Sequence, residues 1–132
     1  MSKVLPELRY TKEHEWARLE AGKVRVGITD FAQKELHEIV MVELPAVGAK
    51  VKAAQKFGTV DSVKATSDIF APVAGEVVEV NGKLEEAPEL ANKDPYGQGW
   101  MIVIKPANVK ELDALLTATA YQKLVKDLQA KK

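Results

Sequence analysis

Between Trp16 and Ile104 the apolar residues come in short runs, and nearly every run is stopped within a few residues by glycine, proline or asparagine. That punctuation constrains the fold more than any other feature of the chain. Trp16 to Leu19 and Val24 to Ile28 alternate apolar and polar about an Ala21-Gly22 turn, the period of a half-buried strand. Ile39 to Leu44 reads as a buried strand stopped by Pro45, and Val47-Gly48 turns the chain into Lys50-Val51. Two further runs fill Gly58 to Gly75, and Gly75 to Val80 is a strand ending in an Asn81-Gly82 turn. Trp100 to Ile104 is the last strand, stopped by Pro106. Many short strands with frequent turns predict a small β-sandwich or barrel.

Helical signals are confined to two places. Asp30 with Gln33 predicts a capped short helix after the second strand. After Pro106 the period changes: Leu112, Leu115 and Leu116, then Leu124, Val125 and Leu128, recur at helical spacing. Asn108 with Glu111 and Thr119 with Gln122 form two more capping boxes, and Lys131 and Lys132 suit a helix C-terminus. Residues 85–99 read as a loop with at most one helical turn. The expectation is one domain over residues 1–132, with a β core at about 10–106 and a helical segment at about 108–129. Val42 to Val51 and Ile69 to Val77 both run strand, proline, glycine, strand, which hints at an internal pseudo-symmetry.

Composition narrows the chemistry. Nineteen basic residues balance nineteen acidic ones, so no charge footprint points to nucleic acid or to an acidic membrane face. There is no cysteine, which removes disulfides, thiolate metal sites and thiol nucleophiles together. Any redox chemistry must be attached or borrowed. Met1 to Tyr10 has neither the apolar run of a secretory signal nor the character of a transit peptide, and no segment is long enough to span a membrane, so the expected location is the cytoplasm. His14 and His37 are each followed by glutamate but begin no His-Glu-x-x-His motif, and no phosphate loop or nucleophile elbow is present. Trp16, Tyr96 and Trp100 lack interleaved basic residues and read as anchors of core or loop.

Lys64 remains. It sits in Val63-Lys64-Ala65, between two strand-like runs, with no glycine pair or Asn-Gly to mark the reversal. A solvated hairpin lysine is one reading. A Schiff-base lysine is disfavoured, because that role needs a depressed pKa and Asp61 and Asp68 act the other way. A lysine at a tight turn with small neighbours also suits acylation by another enzyme.

Gly58 to Asp68 around this lysine resembles the lipoylation site of the glycine cleavage H-protein family. Tyr10 to Trp16, Val26 to Gln33, Val42 to Pro45, Ser67 to Asn81 and Asp94 to Met101 resemble further blocks of that family in the same order, so the resemblance covers residues 5–128. It implies a mainly β, barrel-sandwich hybrid fold with a short internal helix and C-terminal helices. It implies a non-catalytic carrier whose lipoate is amide-linked to Lys64. In that family a pyridoxal-phosphate glycine decarboxylase loads the arm with an aminomethyl group. A tetrahydrofolate-dependent aminomethyltransferase unloads it, and an FAD-containing dihydrolipoamide dehydrogenase reoxidises it. A lipoyl-attaching enzyme is a fourth partner, the carrier itself being a monomer with no nucleic-acid or membrane partner. The resemblance also places Glu15 and Asp68 at a cleft for the loaded arm, and Asp61 and Glu13 toward the lipoylating enzyme or other partners.

Two departures stand out: His37 replaces a glycine usual in the family, so the backbone there is expected not to need positive φ, and Asp61 replaces a common glutamate. A biotinyl carrier would flank its lysine with methionines, where Val63 and Ala65 stand. Lipoyl domains of 2-oxoacid dehydrogenases are usually shorter and carry aspartate before the lysine. An unmodified β-sandwich interaction module is the remaining alternative.

Overall fold

The computed structural model describes residues 3–130, so the expected helix-terminal lysines 131 and 132 lie outside the described residues. Nine strands form two antiparallel sheets. The larger holds β1 (Arg9–Tyr10), β2 (Glu15–Glu20), β3 (Lys23–Ile28), β5 (Lys50–Val51), β8 (Gly75–Val80) and β9 (Ile102–Pro106), in the order β1-β2-β3-β9-β8-β5. The smaller holds β4 (Ile39–Glu43), β6 (Lys56–Ser62) and β7 (Thr66–Phe70), in the order β4-β6-β7. Val24, Val26, Val42, Val60, Ile69, Val77, Ile102 and Ile104 fill the space between them. These are the inward residues of alternating strands, and burying them is the main favourable term in folding.

The mainly β architecture matches the expectation, and the two pseudo-symmetric stretches each cross from one sheet to the other. Val42 to Val51 leaves the small sheet on β4 and enters the large one on β5. Ile69 to Val77 makes the same passage from β7 to β8, and β5 then pairs with β8.

Several local expectations shift. The helix α1 (Asp30–Leu36) is capped by Thr29, whose hydroxyl accepts from the Ala32 amide at 3.2 Å. Thr29 is extended, as a cap must be, and Asp30 is already helical, receiving the Gln33 side chain at 2.8 Å. The strand β4 is only half buried, because a bulge between Ile39 and Met41 turns both Val40 and Met41 outward. Asn81-Gly82 is not a hairpin turn. Asn81 is buried and donates to the carbonyls of Gln98 and Trp100, and the chain continues into α2 (Lys83–Glu86) and α3 (Leu90–Lys93). The 85–99 region therefore holds more helix than expected. The last strand runs two residues later than expected and takes in Pro106, opposite Gly75.

In the tail, Asn108 does cap a helix, but a 3-10 helix (Val109–Ala114), and Glu111 reaches the Ala74 amide instead of closing a capping box. Leu116 leaves helical spacing altogether to pair its backbone with Tyr10. The helix α4 (Ala118–Ala130) starts before Thr119, with the Thr117 hydroxyl accepting from the Ala120 amide. It docks through Tyr121 and Val125 on a second cluster of Leu8, Tyr10, Trp16, Phe31 and Tyr96. Trp16 needs the glycine opposite it: a Cβ on Gly27 would lie 2.8 Å from the indole ring.

Candidate functional site

The β6–β7 hairpin carries Lys64 at its tip, and the absence of ordinary turn residues has a specific replacement. The Ser62 hydroxyl accepts from the amides of Lys64 (3.2 Å) and Ala65 (3.0 Å), while the Ser62 amide donates to the Ala65 carbonyl at 2.9 Å. Serine side chains close turns in this way where glycine is absent. Below the tip, Thr66 donates to Asp61 at 2.6 Å across the hairpin. Val63, Lys64 and Ala65 are all exposed, so nothing on this molecule crowds the lysine. Its ammonium donates to the Glu35 carbonyl in the last turn of α1 at 3.2 Å.

A second feature lies along β7. Ile69 faces the core, whereas Thr66, Asp68 and Phe70 alternate with it on the other face. The Phe70 amide points away from β6 and donates to Glu15 at 3.2 Å. Glu15 opens β2 and is almost fully buried, at 1% exposure. Its other oxygen accepts from the Thr11 hydroxyl at 2.5 Å. Thr11 builds the preceding loop as well, accepting the amides of Glu13 and Glu15 on its hydroxyl. Burial pushes the Glu15 carboxyl up to about 7, against the two hydrogen bonds that favour its charged form. A buried carboxylate gains from a cationic partner that brings compensating charge. Beside it opens a mostly apolar cleft of about 490 Å³, lined among others by Tyr10, Glu13, Phe70 and Leu115.

Lys64 stands just before the first residue of β7 and Glu15 bonds the last, with Glu13 among the residues lining the cleft. The structure does not put Asp68 in that cleft. Asp68 is exposed on β7, between tip and cleft, and pairs with Lys56 at 3.2 Å. Asp61 lies at the base of the tip. His14 is half-buried, its Nδ1 2.8 Å from the Tyr121 hydroxyl, and burial lowers its pKa. His37 stands at φ 65°, ψ −151°, so the expectation that this position avoids positive φ is overturned. That region is essentially reserved for glycine, and holding a histidine there costs about 1–3 kcal/mol.

Sequence reasoning missed Thr11, the Glu35 carbonyl and Asn92, whose side chain donates to the His37 carbonyl at 2.7 Å. Thr11 is legible only as one of many loop threonines. The other two act through backbone geometry or through contacts far apart in the chain. Among the described residues, no group of three or more His, Asp and Glu is placed to hold a metal ion.

Residues 8–128 match the family model of the glycine cleavage H-protein. The chain is 55% identical over 121 residues to the glycine cleavage system H protein of Geobacillus sp. strain WCH70, covering 92% of this chain and 95% of that protein. It is 54% identical over 124 residues to the protein of the same name from Anaeromyxobacter sp. strain K, covering 93% and 97%. Among solved structures, the crystal structure of a glycine cleavage system H protein from Mycobacterium marinum superposes with a TM-score of 0.84 at 40% identity, over 91% of this chain and 97% of that one.

Proposed function

The chain belongs to the glycine cleavage H-protein family, a family of lipoyl carriers, and from that premise we propose that Lys64 is the residue that carries the lipoyl group, as an amide on its Nζ. The observation that carries this reading is the tip itself: an exposed lysine between Val63 and Ala65, on a turn closed by the Ser62 hydroxyl. An acylating enzyme needs unobstructed approach to the Nζ and a backbone that does not flex away. Exposure supplies the first, and the serine-closed turn and the two flanking strands the second.

The residues along β7 fit the group. From Lys64 to Phe70 is about 20 Å at the rise of a strand. A lysine extended by an eight-carbon acyl chain spans roughly a dozen bonds, about 14 Å, and an amine two bonds further out comes within about a hydrogen bond of that distance. When bound, the group supplies the dithiolane that accepts and releases the aminomethyl unit, and this chain offers no thiol of its own to compete for it. Glu15 is the acceptor at the far end of the path, a buried carboxylate that gains from a cationic partner. Asp68 stands part-way along it, paired on one oxygen with Lys56.

The full reading is a single carrier domain over residues 1–132, monomeric and cytoplasmic, without catalytic residues of its own. It is lipoylated by an acylating enzyme that Asp61 and Glu13 face. It is loaded by the pyridoxal-phosphate decarboxylase, unloaded by the tetrahydrofolate-dependent transferase and reoxidised by the flavin dehydrogenase. No helix among the described residues is long and apolar enough to cross a membrane. The test is Lys64→Arg in a reconstituted glycine cleavage assay. Arginine keeps the charge and cannot form the amide, so turnover of glycine should fall to background with the fold intact. Retained turnover would refute the assignment and favour an unmodified interaction module.

A further inference from the structure

The hairpin tip is held from outside by two carbonyls, one in the last turn of α1 and one in the short segment that leaves it. The Glu35 carbonyl accepts from the Lys64 ammonium at 3.2 Å, and the Glu38 carbonyl accepts from the Val63 amide at 3.0 Å. Between those two carbonyls the backbone passes through His37, at φ 65° and ψ −151°. A histidine stays in that conformation only where its surroundings over-determine it.

Three hydrogen bonds from one side chain converge on that kink. Asn92, on α3, donates to the His37 carbonyl at 2.7 Å and to the Gln33 side-chain oxygen at 3.0 Å, and its own oxygen accepts from the Ile39 amide at 2.8 Å. Donors and acceptor are all spent on residues 33–39. Asn92 is itself fixed, because its amide bonds the Glu89 carbonyl and the neighbouring Ala91 is buried in the core. The His37 amide still donates to the Gln33 carbonyl, so the last turn of α1 is intact on the other side of the kink.

We propose that Asn92 is a positioning residue for acylation of Lys64: it holds the strained His37 kink, the kink aims the Glu38 carbonyl at Val63, and the bond at Val63 fixes where the lysine stands. Relaxing His37 to negative φ reorients the next peptide and withdraws the Glu38 carbonyl from the tip. The Glu35 contact outlasts the modification. Acylation replaces the three N–H donors of the ammonium with the single N–H of an amide, and that N–H can keep the Glu35 carbonyl as its acceptor at the root of the arm. This inference rests on Lys64 being the attachment residue.

The experiment uses the full chain with Asn92→Ala, Asn92→Asp and His37→Gly. Asn92→Asp keeps the acceptor for Ile39 and loses both donated bonds, so it reads the brace even where alanine fails to fold. Two quantities are measured: amide hydrogen exchange at Val63 relative to β2 and β3, and kcat/KM for acylation of Lys64 by a lipoate ligase with lipoate and ATP. Both Asn92 variants should expose the Val63 amide, with β2 and β3 protection unchanged, and lower kcat/KM about five- to tenfold. His37→Gly should preserve both, since glycine takes the same φ without strain. Wild-type Val63 protection and wild-type kcat/KM in the Asn92 variants would overturn the proposal. So would a loss of protection spread evenly over all strands, which marks a merely structural residue. If the wild-type chain itself is not acylated at Lys64, the attachment reading fails, while exchange at Val63 still decides the brace.

Discussion

The aromatic end of the molecule and the hairpin tip are made from the same antiparallel ladders, yet they are held by different forces. At the aromatic end Tyr10 stacks on Tyr121 with ring centres 4.5 Å apart, and both rings are fully buried. The buried ring hydroxyls and the indole N–H have partners: Tyr121 bonds Thr29 and His14, Tyr10 bonds Leu5, and Trp16 bonds the Pro95 carbonyl. At the tip nothing large is buried, Val63 is 65% exposed, and polar bonds from Ser62 and Glu38 set the geometry. Apolar burial holds the chain's two end segments together, and short polar contacts aim one lysine. Losses at the first end should therefore appear as stability, and losses at the second as reactivity.

The largest stability effect is expected from Tyr121→Ala. It removes a buried ring and leaves Thr29 and His14 short of a partner, so urea unfolding should show a loss of about 3–5 kcal/mol. Lys64 should still be acylated at the wild-type rate at temperatures where the variant is folded. A small change in unfolding would break the comparison at its stable end.

Glu15 sits between the two regimes and sharpens the contrast. Its folded pKa of about 7 lies above the ordinary 4.5, so the folded state favours the protonated acid. The stability this contributes is complete below pH 4.5, is lost as pH rises to about 7, and is flat beyond. Glu15→Gln removes that loss. It should be more stable than wild type by roughly 3 kcal/mol at pH 8 and converge with it near pH 4. In the loaded carrier the same variant, which takes away the acceptor for a cationic amine, should speed spontaneous loss of the aminomethyl group as formaldehyde and ammonia. Parallel unfolding curves across that pH range would remove Glu15 from the account, as would an unchanged decay rate.

The smallest effect belongs to the exposed Lys56–Asp68 pair. Lys56→Ala should cost at most about 0.5 kcal/mol by thermal unfolding, because both partners are solvated. A larger loss would mean that charge pairing on the outer face of β7 contributes to the fold, which the comparison excludes.

How much of this could be read from the chain depends on how local each cause is. Val24 to Ile28 announces its strand because alternation is a property of neighbours, whereas Thr29 and Asp30 are both good caps, so local pattern alone does not choose the residue that caps α1. Lys64 stood out only through the family blocks around it, since its turn is closed by a serine hydroxyl that any loop serine could offer. Glu15 looks like one more charge among Lys12, Glu13 and His14, and its burial exists only once β7 is laid beside β2. His37 is illegible for the same reason. Its unfavourable backbone is held by Asn92, and no local rule contains a residue so far along the chain.

The central claim is that Lys64 is an attachment point and the chemistry hangs from it. Expression with lipoate and a lipoate ligase, followed by intact mass spectrometry and peptide mapping, tests it most directly. One added lipoyl group per chain is expected, on the peptide containing Lys64. A single unmodified mass, with the same ligase active on a control acceptor, or a lipoyl group mapped to another lysine, would contradict it.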